Sequence, residues 1–429
     1  MKEKTYFLSL AAAVACSLSA QTGSWTLEDC LTHALEHNIE IQVSQNEYLS
    51  GLEETREARA ALFPTLSAEI LQEASYSPNA QEDRKTLGGS YGLNAEMTLF
   101  SGGRLLHKIR RQKLQNSRDS LAVAEQQIQL RVSVVEAYMQ CQYLAESIAL
   151  NVRTAAASAD LCEQARKKFS EGTLSPTDLA QLESRYYADQ YRLTLSRNSY
   201  DACLLTLQKL IEFEVGEKMQ LADPVYAESE ILRLLPNLQT VFENVMNTMP
   251  AIRDRKLGVE TAEIDRKSAR AGYWPSIGLN AGLGTTNRYD VPESFPTQLQ
   301  DNFGMSAGIT VSIPILTGRE NRTAVSKARI ELENSRLEYE EAEEACLRAS
   351  EKTYQDILSA QSQYKAATDQ ETYARKSFGL LSECFAEKGN NVSELLLAQN
   401  DLFSASQALL QAKYQALAAL YVLDIYQGR

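Results

Sequence analysis

The sequence contains two copies of one unit, and this duplication restricts the fold more than any other feature. The segment Phe63-Pro64 aligns with Trp274-Pro275 at an offset of 211 residues. After a loop of different length, Leu99-Phe100-Ser101-Gly102 aligns with Ile315-Leu316-Thr317-Gly318 at an offset of 216. Proline and glycine recur at matching places, where they dictate backbone geometry. A sequence repeated in this way is expected to build two similar structural units.

The repeats divide the chain into segments. Residues 1–20 precede the first repeat, which covers 21–220, and the second repeat covers 238–429; residues 214–237 connect them. Each repeat begins with a predicted helix, over about 26–61 and about 238–272. Both helices are expected to end before a proline, because the residue that precedes proline disfavours the helical region.

In each repeat, two stretches follow in which apolar residues alternate with small or polar ones. The clearest example is the alternation of Phe303, Met305, Ala307, Ile309 and Val311 with Gly304, Ser306, Gly308, Thr310 and Ser312. A period of two predicts β-strands with one apolar and one polar face. The predicted strands cover about 65–77, 90–100, 276–286 and 303–314.

Two long helices then complete each repeat, over about 103–171 and 175–213 in the first and about 318–388 and 392–427 in the second. The first of them would be about 100 Å long. Gly172 and Gly389 stand where the longer helices should end, which is a common place for glycine. The shorter helices carry heptads, at Leu179, Tyr186, Leu193, Tyr200 and Leu207 in the first repeat and at Leu395, Leu402, Leu409, Ala416 and Leu423 in the second. Sustained heptads predict coiled-coil packing.

The N-terminus has the features of an export signal. Lys2 and Lys4 precede an apolar stretch, and the small residues that follow predict cleavage after Ala20. An alternative is a lipoprotein-type cleavage that leaves Cys16 lipidated, because Ala13-Val14-Ala15-Cys16 loosely resembles such a site. Both alternatives take the chain out of the cytoplasm.

Composition and residue spacing argue against several classes of function. The net charge of −13 argues against nucleic acid as a partner. Cys141 and Cys162 would lie about 30 Å apart on one helix, so the scattered cysteines are interpreted as small buried apolar residues. His33 and His37 have no third ligand, and we predict no metal and no cofactor. The absence of a phosphate-binding loop or nucleophile motif predicts that the protein is not an enzyme.

Strands of about ten residues are long enough to cross a bilayer when tilted. Four strands cannot close a barrel, and an open sheet edge cannot lie in lipid with its backbone groups unpaired. Two chains would make eight strands, whose interior is normally filled by side chains. Three chains would make a twelve-stranded pore, so we predict a homotrimer embedded in outer-membrane lipid. The aromatic residues Phe63, Tyr273 and Trp274 suit one membrane interface, which places the long helices in the periplasm.

The chain resembles the TolC-like outer-membrane efflux family over essentially everything after the signal peptide. The resemblance is carried by Trp25-Thr26-Leu27-Glu28-Asp29-Cys30, Phe63-Pro64, Leu99-Phe100-Ser101-Gly102-Gly103, Glu171-Gly172-Thr173 with Asp178-Leu179, and Gly389 with Glu394-Leu395-Leu396. It implies a mainly α-helical protomer with a membrane β-barrel. Three duplicated helix–strand–strand–helix–helix protomers would form a 12-stranded β-barrel above a long α-helical periplasmic barrel. Residues 216–236 would supply part of a collar around the middle.

The resemblance also implies a function. The chain would be the outer-membrane channel of a tripartite efflux system, a passive duct for drugs, metal ions or other small toxic compounds. A proton-driven or ATP-driven inner-membrane pump would supply the energy, and a periplasmic adaptor would bridge the gap. The alternatives are a duct for protein or peptide secretion and, from a different class, a structural periplasmic coiled-coil protein.

In this family the periplasmic tip is closed and opens when the adaptor docks. Asp178, preceded by Thr177, matches an acidic position that faces the aperture, and Glu394 lies nearest to it in the second repeat. Threefold symmetry would make these residues rings of carboxylates that favour cations. Capping of the helix N-terminus is the alternative role for both residues.

The second tip departs from the family pattern. Asn390-Asn391 replaces an expected basic residue, and Phe385-Ala386 stands where a tyrosine is expected. We therefore predict a gate that rests on packing of Phe169 and Phe385, with hydrogen bonds from the two asparagines. The predicted adaptor-docking residues at the tips are Gly172, Leu179, Gly389, Leu395 and Leu396. The alternative for the three leucines is a place in the helical core.

Overall fold

The structure is a computed structural model that describes residues 24–76, 78, 85–388 and 392–428. The predicted cleavage site at Ala20 and the alternative at Cys16 lie outside the described residues. The same holds for Gly389, Asn390 and Asn391 at the second tip.

The first repeat contains four helices and two strands: α1 (Leu27–His37), α2 (Ile39–Ala60), β1 (Thr65–Tyr76), β2 (Lys85–Ser101), α3 (Arg104–Ser170) and α4 (Pro176–Leu210). The short helix α5 (Glu228–Ile231) lies in the connecting segment. The second repeat contains α6 (Leu238–Thr248), α7 (Pro250–Arg270), a 3₁₀ turn (Ala271–Tyr273), β3 (Ser276–Arg288), α8 (Phe295–Asp301), β4 (Gly304–Ser312), α9 (Glu320–Lys388) and α10 (Val392–Tyr426). Apart from α8, the elements of the second repeat follow the order of the first.

The first helix of each repeat is broken, which corrects the prediction of one continuous helix. Asn38 is extended, with φ −61° and ψ 126°, and its side chain accepts a hydrogen bond from the N–H of Ile41 to cap α2. Met249 is extended in the same way because it precedes Pro250. The proline that starts α7 was therefore a visible signal for the second break.

Two strands differ in length from the sequence-based expectation, and the helices α5 and α8 were not expected. β2 begins at Lys85 rather than near residue 90, because it pairs with β1 as far as Tyr76. β4 ends at Ser312, two residues before Pro314. The loop after β3 contains α8, which Gln298 holds in place by donating hydrogen bonds to the carbonyl oxygens of Arg288 and Glu293.

The four strands form one antiparallel sheet in the order β1-β2-β3-β4. The register is the same in both repeats, since Thr65 pairs with Glu96 and Ser276 pairs with Ser312. The β2–β3 pairing, which joins the two repeats, contains an irregularity between Thr98 and Phe100.

The helical part packs around three apolar clusters. The largest lies midway along the long helices and joins α1, α3, α4 and α10 through residues such as Cys30, Tyr138, Leu207 and Leu417. A second cluster joins α6, α7, α9 and α10, and a third lies at the tips of the two helix hairpins. The heptad residues of α4 and α10 are all buried or half-buried, as their spacing predicted.

A polar link also crosses the helical core. The Asp189 side chain on α4 is almost fully buried and accepts hydrogen bonds from Arg185 and Arg192 at 3.0 Å each. Ser158 of α3 donates a third hydrogen bond to Asp189, and Gln399 of α10 donates to the Ser158 hydroxyl at 2.7 Å. The carboxylate therefore connects both repeats.

None of the helices in the described ranges is long and apolar enough to cross a membrane.

One glycine is required where the chain turns from β2 into α3. Gly102 has φ +65°, and a Cβ atom there would lie 2.7 Å from the carbonyl oxygen of Ala271 and 2.9 Å from Cβ of Trp274. Gly318, the corresponding residue of the second repeat, has φ +54° but nothing within 4 Å of its Cβ position. The two glycines share a backbone conformation and differ in their surroundings.

We predict that Gly102→Ala destabilises the protein more than Gly318→Ala. Both substitutions force alanine into the left-handed region, which costs about 1–2 kcal/mol. Gly102→Ala adds a clash with backbone atoms that cannot move aside, which costs about 1–3 kcal/mol more. Thermal unfolding of the purified variants in detergent, followed by circular dichroism, measures the difference. Equal midpoints would show that the contact with the 3₁₀ turn is not restrictive.

We also predict that Asp189→Asn is strongly destabilising. It leaves Arg185, whose side chain is only 15% exposed, without its carboxylate, and breaking a buried ion pair in this way costs about 3–5 kcal/mol. Glu183→Gln is the matched control, because Glu183 lies on the same helix and pairs with Arg166 at the protein surface. The control should lower the unfolding midpoint clearly less, and similar losses would contradict the structural role of Asp189.

Candidate functional site

One face of the sheet is apolar and open to the surroundings of the protomer. Ile70 on β1 is 73% exposed and Met305 on β4 is 77% exposed. The same face carries the exposed side chains of Leu66, Leu93, Leu99, Leu279, Leu283, Ile309 and Val311. An apolar surface of this size on strands of membrane-crossing length suits contact with lipid.

The opposite face of the sheet is polar and lined by small residues. The Asn94 side chain lies over Gly282, where a Cβ atom would come within 3.1 Å of its amide oxygen. Asn280 lies over Gly308 in the same way, at 3.4 Å. Glycine on one strand therefore makes room for the amide of the next, and the face presents hydrogen-bonding groups suited to water.

Both edges of this sheet are open in the protomer. Within the described part of the chain, β1 pairs only with β2 and β4 pairs only with β3. A row of backbone N–H and C=O groups is left on the outer side of each edge strand, and such a row needs partners in lipid.

Exposed aromatic residues mark one end of the sheet. Phe63 precedes β1, Tyr273 and Trp274 precede β3, and Phe100 lies near the end of β2 opposite Ile277. The long helices start at this same end. Aromatic side chains prefer the boundary between lipid and water, so the helices lie on the aqueous side of that boundary.

The first helix hairpin turns at Gly172. This residue has φ +74°, its N–H donates to the carbonyl oxygen of Phe169, and the N–H of Thr173 donates to that of Lys168. These bonds satisfy the last carbonyl groups of α3. The predicted role of Gly172 as the turn residue is thus visible in its backbone, whereas its predicted role in adaptor docking stays a prediction.

Asp178 lies in the first turn of α4, directly after the helix cap. Ser175 is the N-cap residue, and its hydroxyl accepts a hydrogen bond from the N–H of Asp178 at 3.1 Å. The hydroxyl in turn donates to the Asp178 carboxylate at 2.8 Å. Thr177 beside it is exposed, and Glu394 is exposed in the first turn of α10. The contact with Ser175 occupies one carboxylate oxygen of Asp178, and the predicted place of Asp178 in the aperture stays a prediction.

Phe169 and Phe385, the two aromatic residues predicted to hold the gate by packing, have different surroundings in the protomer. Phe385 is fully buried at the centre of the tip cluster, beside Leu161, Leu174 and Leu395. Phe169 is 42% exposed. Their predicted part in a closed gate stays a prediction.

Lys168 makes the contact between the two tips that sequence reasoning missed. Its Nζ donates to the carbonyl oxygen of Ala386 at 3.0 Å and lies 5.7 Å from the centre of the Phe385 ring. The ammonium group thus neutralises the carbonyl end of α9. A lysine in the last turn of α3 was the available signal, but its partner lies 218 residues away in the chain.

The three leucines proposed for docking lie in or against the core. Leu395 is buried inside the tip cluster, and Leu179 and Leu396 pack against that cluster half-buried. Leu395 therefore presents no side-chain surface to an adaptor in this protomer. Leu179 and Leu396 keep part of their surface accessible.

The two histidines of α1 are used in packing. Their rings stack with centres 4.1 Å apart. Nδ1 of His33 lies 2.8 Å from the carbonyl oxygen of Ile211, and Nδ1 of His37 lies 3.0 Å from that of His33. Among the residues that the structure describes, no group of three His, Cys, Asp or Glu side chains could hold a metal ion.

The connecting segment wraps around the middle of the long helices. Trp25 and Leu221 form a parallel β-bridge, and Gln142 of α3 donates to the carbonyl oxygen of Ala222 at 2.6 Å. Further along, Arg233 pairs with Asp424 of α10 at 2.9 Å. The segment is thus fastened to helices of both repeats.

Comparison with known proteins agrees with this geometry. The chain is 25% identical to the alkaline protease secretion protein AprF of Pseudomonas aeruginosa, over 92% of this chain and 82% of AprF. It is also 25% identical to the outer membrane efflux protein BepC of Brucella suis biovar 1, over 98% of this chain and 90% of BepC. A crystal structure of CusC superimposes with a TM-score of 0.81 at 19% identity, covering 94% of this chain and 91% of that one.

A sequence model described as outer membrane efflux protein matches residues 30–211 and 242–429. The two matched segments correspond to the two repeats and leave out the connecting segment. Together they cover most of the chain. The chain therefore belongs to the outer membrane efflux protein family.

Proposed function

We propose that three copies of this chain close a twelve-stranded barrel in the outer membrane and form one passive export duct. The observation that carries the proposal is the four-stranded sheet with two open edges, one apolar face and one small, polar face. Pairing of β4 with β1 of the next copy would satisfy every edge. The apolar face would then contact lipid, and the amides of Asn94 and Asn280 would line the pore.

The repeat symmetry predicts the register of that pairing. β1 corresponds to β3 at an offset of 211 residues, and β2 corresponds to β4 at an offset of 216 residues. The pair Thr65–Glu96 in the first repeat therefore matches the pair Ser276–Ser312 in the second. Within the chain, Ala95 of β2 lies opposite Ala281 of β3. Ala95 of β2 corresponds to Val311 of β4, and Ala281 of β3 corresponds to Ile70 of β1. We therefore expect Val311 to lie opposite Ile70 of the neighbouring copy.

A chain carrying Ile70→Cys and Val311→Cys should form disulfide cross-links between copies. Directly opposed residues of neighbouring antiparallel strands have Cα atoms about 4.5–5.5 Å apart, which is within the Cα range of about 4.4–6.8 Å that a disulfide bridges. Mild oxidation in native membranes, followed by non-reducing electrophoresis, should give a covalent ladder that ends at three chains. A ladder that ends at two or four chains would contradict the trimer.

The matched control is Ile70→Cys with Thr310→Cys. Thr310 is one residue from Val311, so its side chain points to the other face of the sheet. This pair should give at most a trace of cross-linking. Equal cross-linking by both pairs would refute the predicted register, and the unsubstituted chain measures the background from its own cysteines.

The duct would work with two further components, a periplasmic adaptor and an inner-membrane pump. The long helices support this proposal, because α3 and α9 reach about 100 Å from the membrane boundary and end in two hairpin tips. The family is one of channel proteins, and the proposed duct does no chemistry of its own. The energy would come from the pump.

Efflux of small toxic compounds or metal ions is the main candidate for the cargo. The relatives include a cation efflux system protein, CusC, and an alkaline protease secretion protein, AprF. The second relative favours a protein or peptide cargo as the alternative. A purely structural coiled-coil protein would leave the four-stranded sheet unexplained.

Carboxylates at the tips would make the duct selective for cations. Asp178 lies in the first turn of α4 and Glu394 in the first turn of α10, so both lie where the hairpins turn and where the three copies would meet. Rings of three carboxylates attract cations and repel anions. We propose that these two rings line the periplasmic aperture.

Asp178→Asn combined with Glu394→Gln should reduce the cation selectivity of single channels in planar bilayers. The asparagine keeps an acceptor for the Ser175 hydroxyl while it removes the charge. The matched control is Ser175→Ala, which removes the cap and keeps the carboxylate. The control should lower thermal stability, by about 1 kcal/mol for a lost cap, and leave selectivity unchanged. Unchanged selectivity in the double variant would overturn the carboxylate rings.

A further inference from the structure

Two cysteines on neighbouring helices face each other at the centre of the protein. Sγ of Cys141 on α3 lies 2.7 Å from Sγ of Cys203 on α4. Two sulfur atoms that merely touch stay farther apart than this, while a covalent disulfide bond measures about 2.04 Å. The helices thus hold the two sulfur atoms in direct contact, close to the length of a covalent bond.

The surroundings of this pair favour a bond over two free thiols. Cys141 is fully buried in the central apolar cluster, and Cys203 packs against it half-buried. The Sγ atom of Cys203 has one other polar neighbour, the carbonyl oxygen of Ala137 at 3.7 Å. A disulfide would remove both S–H groups from this apolar setting, where thiols gain little from hydrogen bonding.

The two thiols also differ in pKa and in accessibility, and both differences suit thiol–disulfide exchange. The hydrogen bond to Cys203 and burial raise the pKa of Cys141, whereas the hydrogen bond from Cys141 lowers the pKa of Cys203. Cys203 is the more accessible of the two. Because the thiolate is the attacking species in disulfide exchange, Cys203 is the residue suited to react first.

The location of the protein supplies the chemical conditions. Chains of the outer membrane pass through the periplasm, an oxidising compartment in which disulfides form and persist. The structure describes six cysteines. Among these described residues, the hydrogen-bonded contacts between two sulfur atoms include only the one between Cys141 and Cys203.

We propose that Cys141 and Cys203 form a disulfide bond in the exported protein, made by exchange with a periplasmic protein disulfide. The Cys203 thiolate attacks one sulfur atom of the oxidant's disulfide and releases the other sulfur atom as a thiolate, giving a mixed disulfide. The Cys141 thiol then loses its proton and attacks the sulfur of Cys203, which releases the oxidant's second thiolate. The two cysteines lose two electrons and two protons, and the oxidant leaves as a dithiol.

This bond fastens the base of one hairpin only. The two residues are 62 positions apart, so the closed loop contains the lower part of α3, the first tip and most of α4. At the repeat offset of 216, the corresponding residues of the second hairpin are Ile357 and Ala419, which make an apolar contact region in another cluster. Sliding of α4 along α3 is thus blocked in the first hairpin, while α9 and α10 carry no such bond at this level.

Thiol counting in the full chain tests the proposal. Outer membranes are quenched in acid, the protein is denatured, and free thiols are blocked with iodoacetamide. Reduction followed by a maleimide–polyethylene glycol should then add two labels to each native chain, seen as a shift on electrophoresis. Digestion without reduction should yield one cross-linked peptide pair that contains Cys141 and Cys203.

Three variants sharpen the result. Cys141→Ser and Cys203→Ser should each gain no label on reduction, whereas Cys162→Ser, a buried cysteine on the same α3, should still gain two. A native chain that gains no label overturns the proposal, and this outcome does not depend on whether the variants fold. A gain that persists in Cys203→Ser would show that a different pair is bonded, which also overturns it.

Discussion

The structure depends on one constraint, the need of every strand edge in a membrane for a hydrogen-bonding partner. A chain that supplies four strands cannot meet this need alone, because β1 and β4 each leave one row of backbone groups open. The duplication supplies partners for one edge of each repeat, since β2 of the first repeat pairs with β3 of the second within one protomer. In the proposed duct a neighbouring copy pairs with the remaining edges, and the register that the two repeats share predicts how that copy would pair.

The sheet also dictates the chemistry of its two faces. On β2, β3 and β4 the positions between the apolar residues hold mostly glycine, serine, threonine and asparagine, and the glycines leave room for the side chains of Asn94 and Asn280. The same face also carries Glu69, Leu71 and Glu73 on β1 and Glu96 on β2. The apolar face, by contrast, is exposed in the protomer and becomes favourable only against lipid.

Below the membrane boundary, the two repeats are held together by specific contacts as well as by heptad packing. In the core, Asp189 accepts hydrogen bonds from Arg185, Arg192 and Ser158. Gln399 of α10 donates a further hydrogen bond to the Ser158 hydroxyl. At the tips, Lys168 reaches the end of α9. A buried carboxylate is costly without partners, so this network allows one arrangement of α3, α4 and α10 and disfavours sliding of the coils.

The sequence by itself determined the duplication, the four strands, the order of the long helices and the heptad faces, because each depends on local periodicity or on proline and glycine. It also pointed to Gly172 as a turn residue and to Asp178 as a first-turn residue of α4, for the same local reason. Only the tertiary structure decided which distant side chains meet. It joined Lys168 to Ala386 and brought Cys141 to within 2.7 Å of Cys203. Such contacts depend on the rotation and axial position of one long helix against another, and a pattern within either helix carries no information about them.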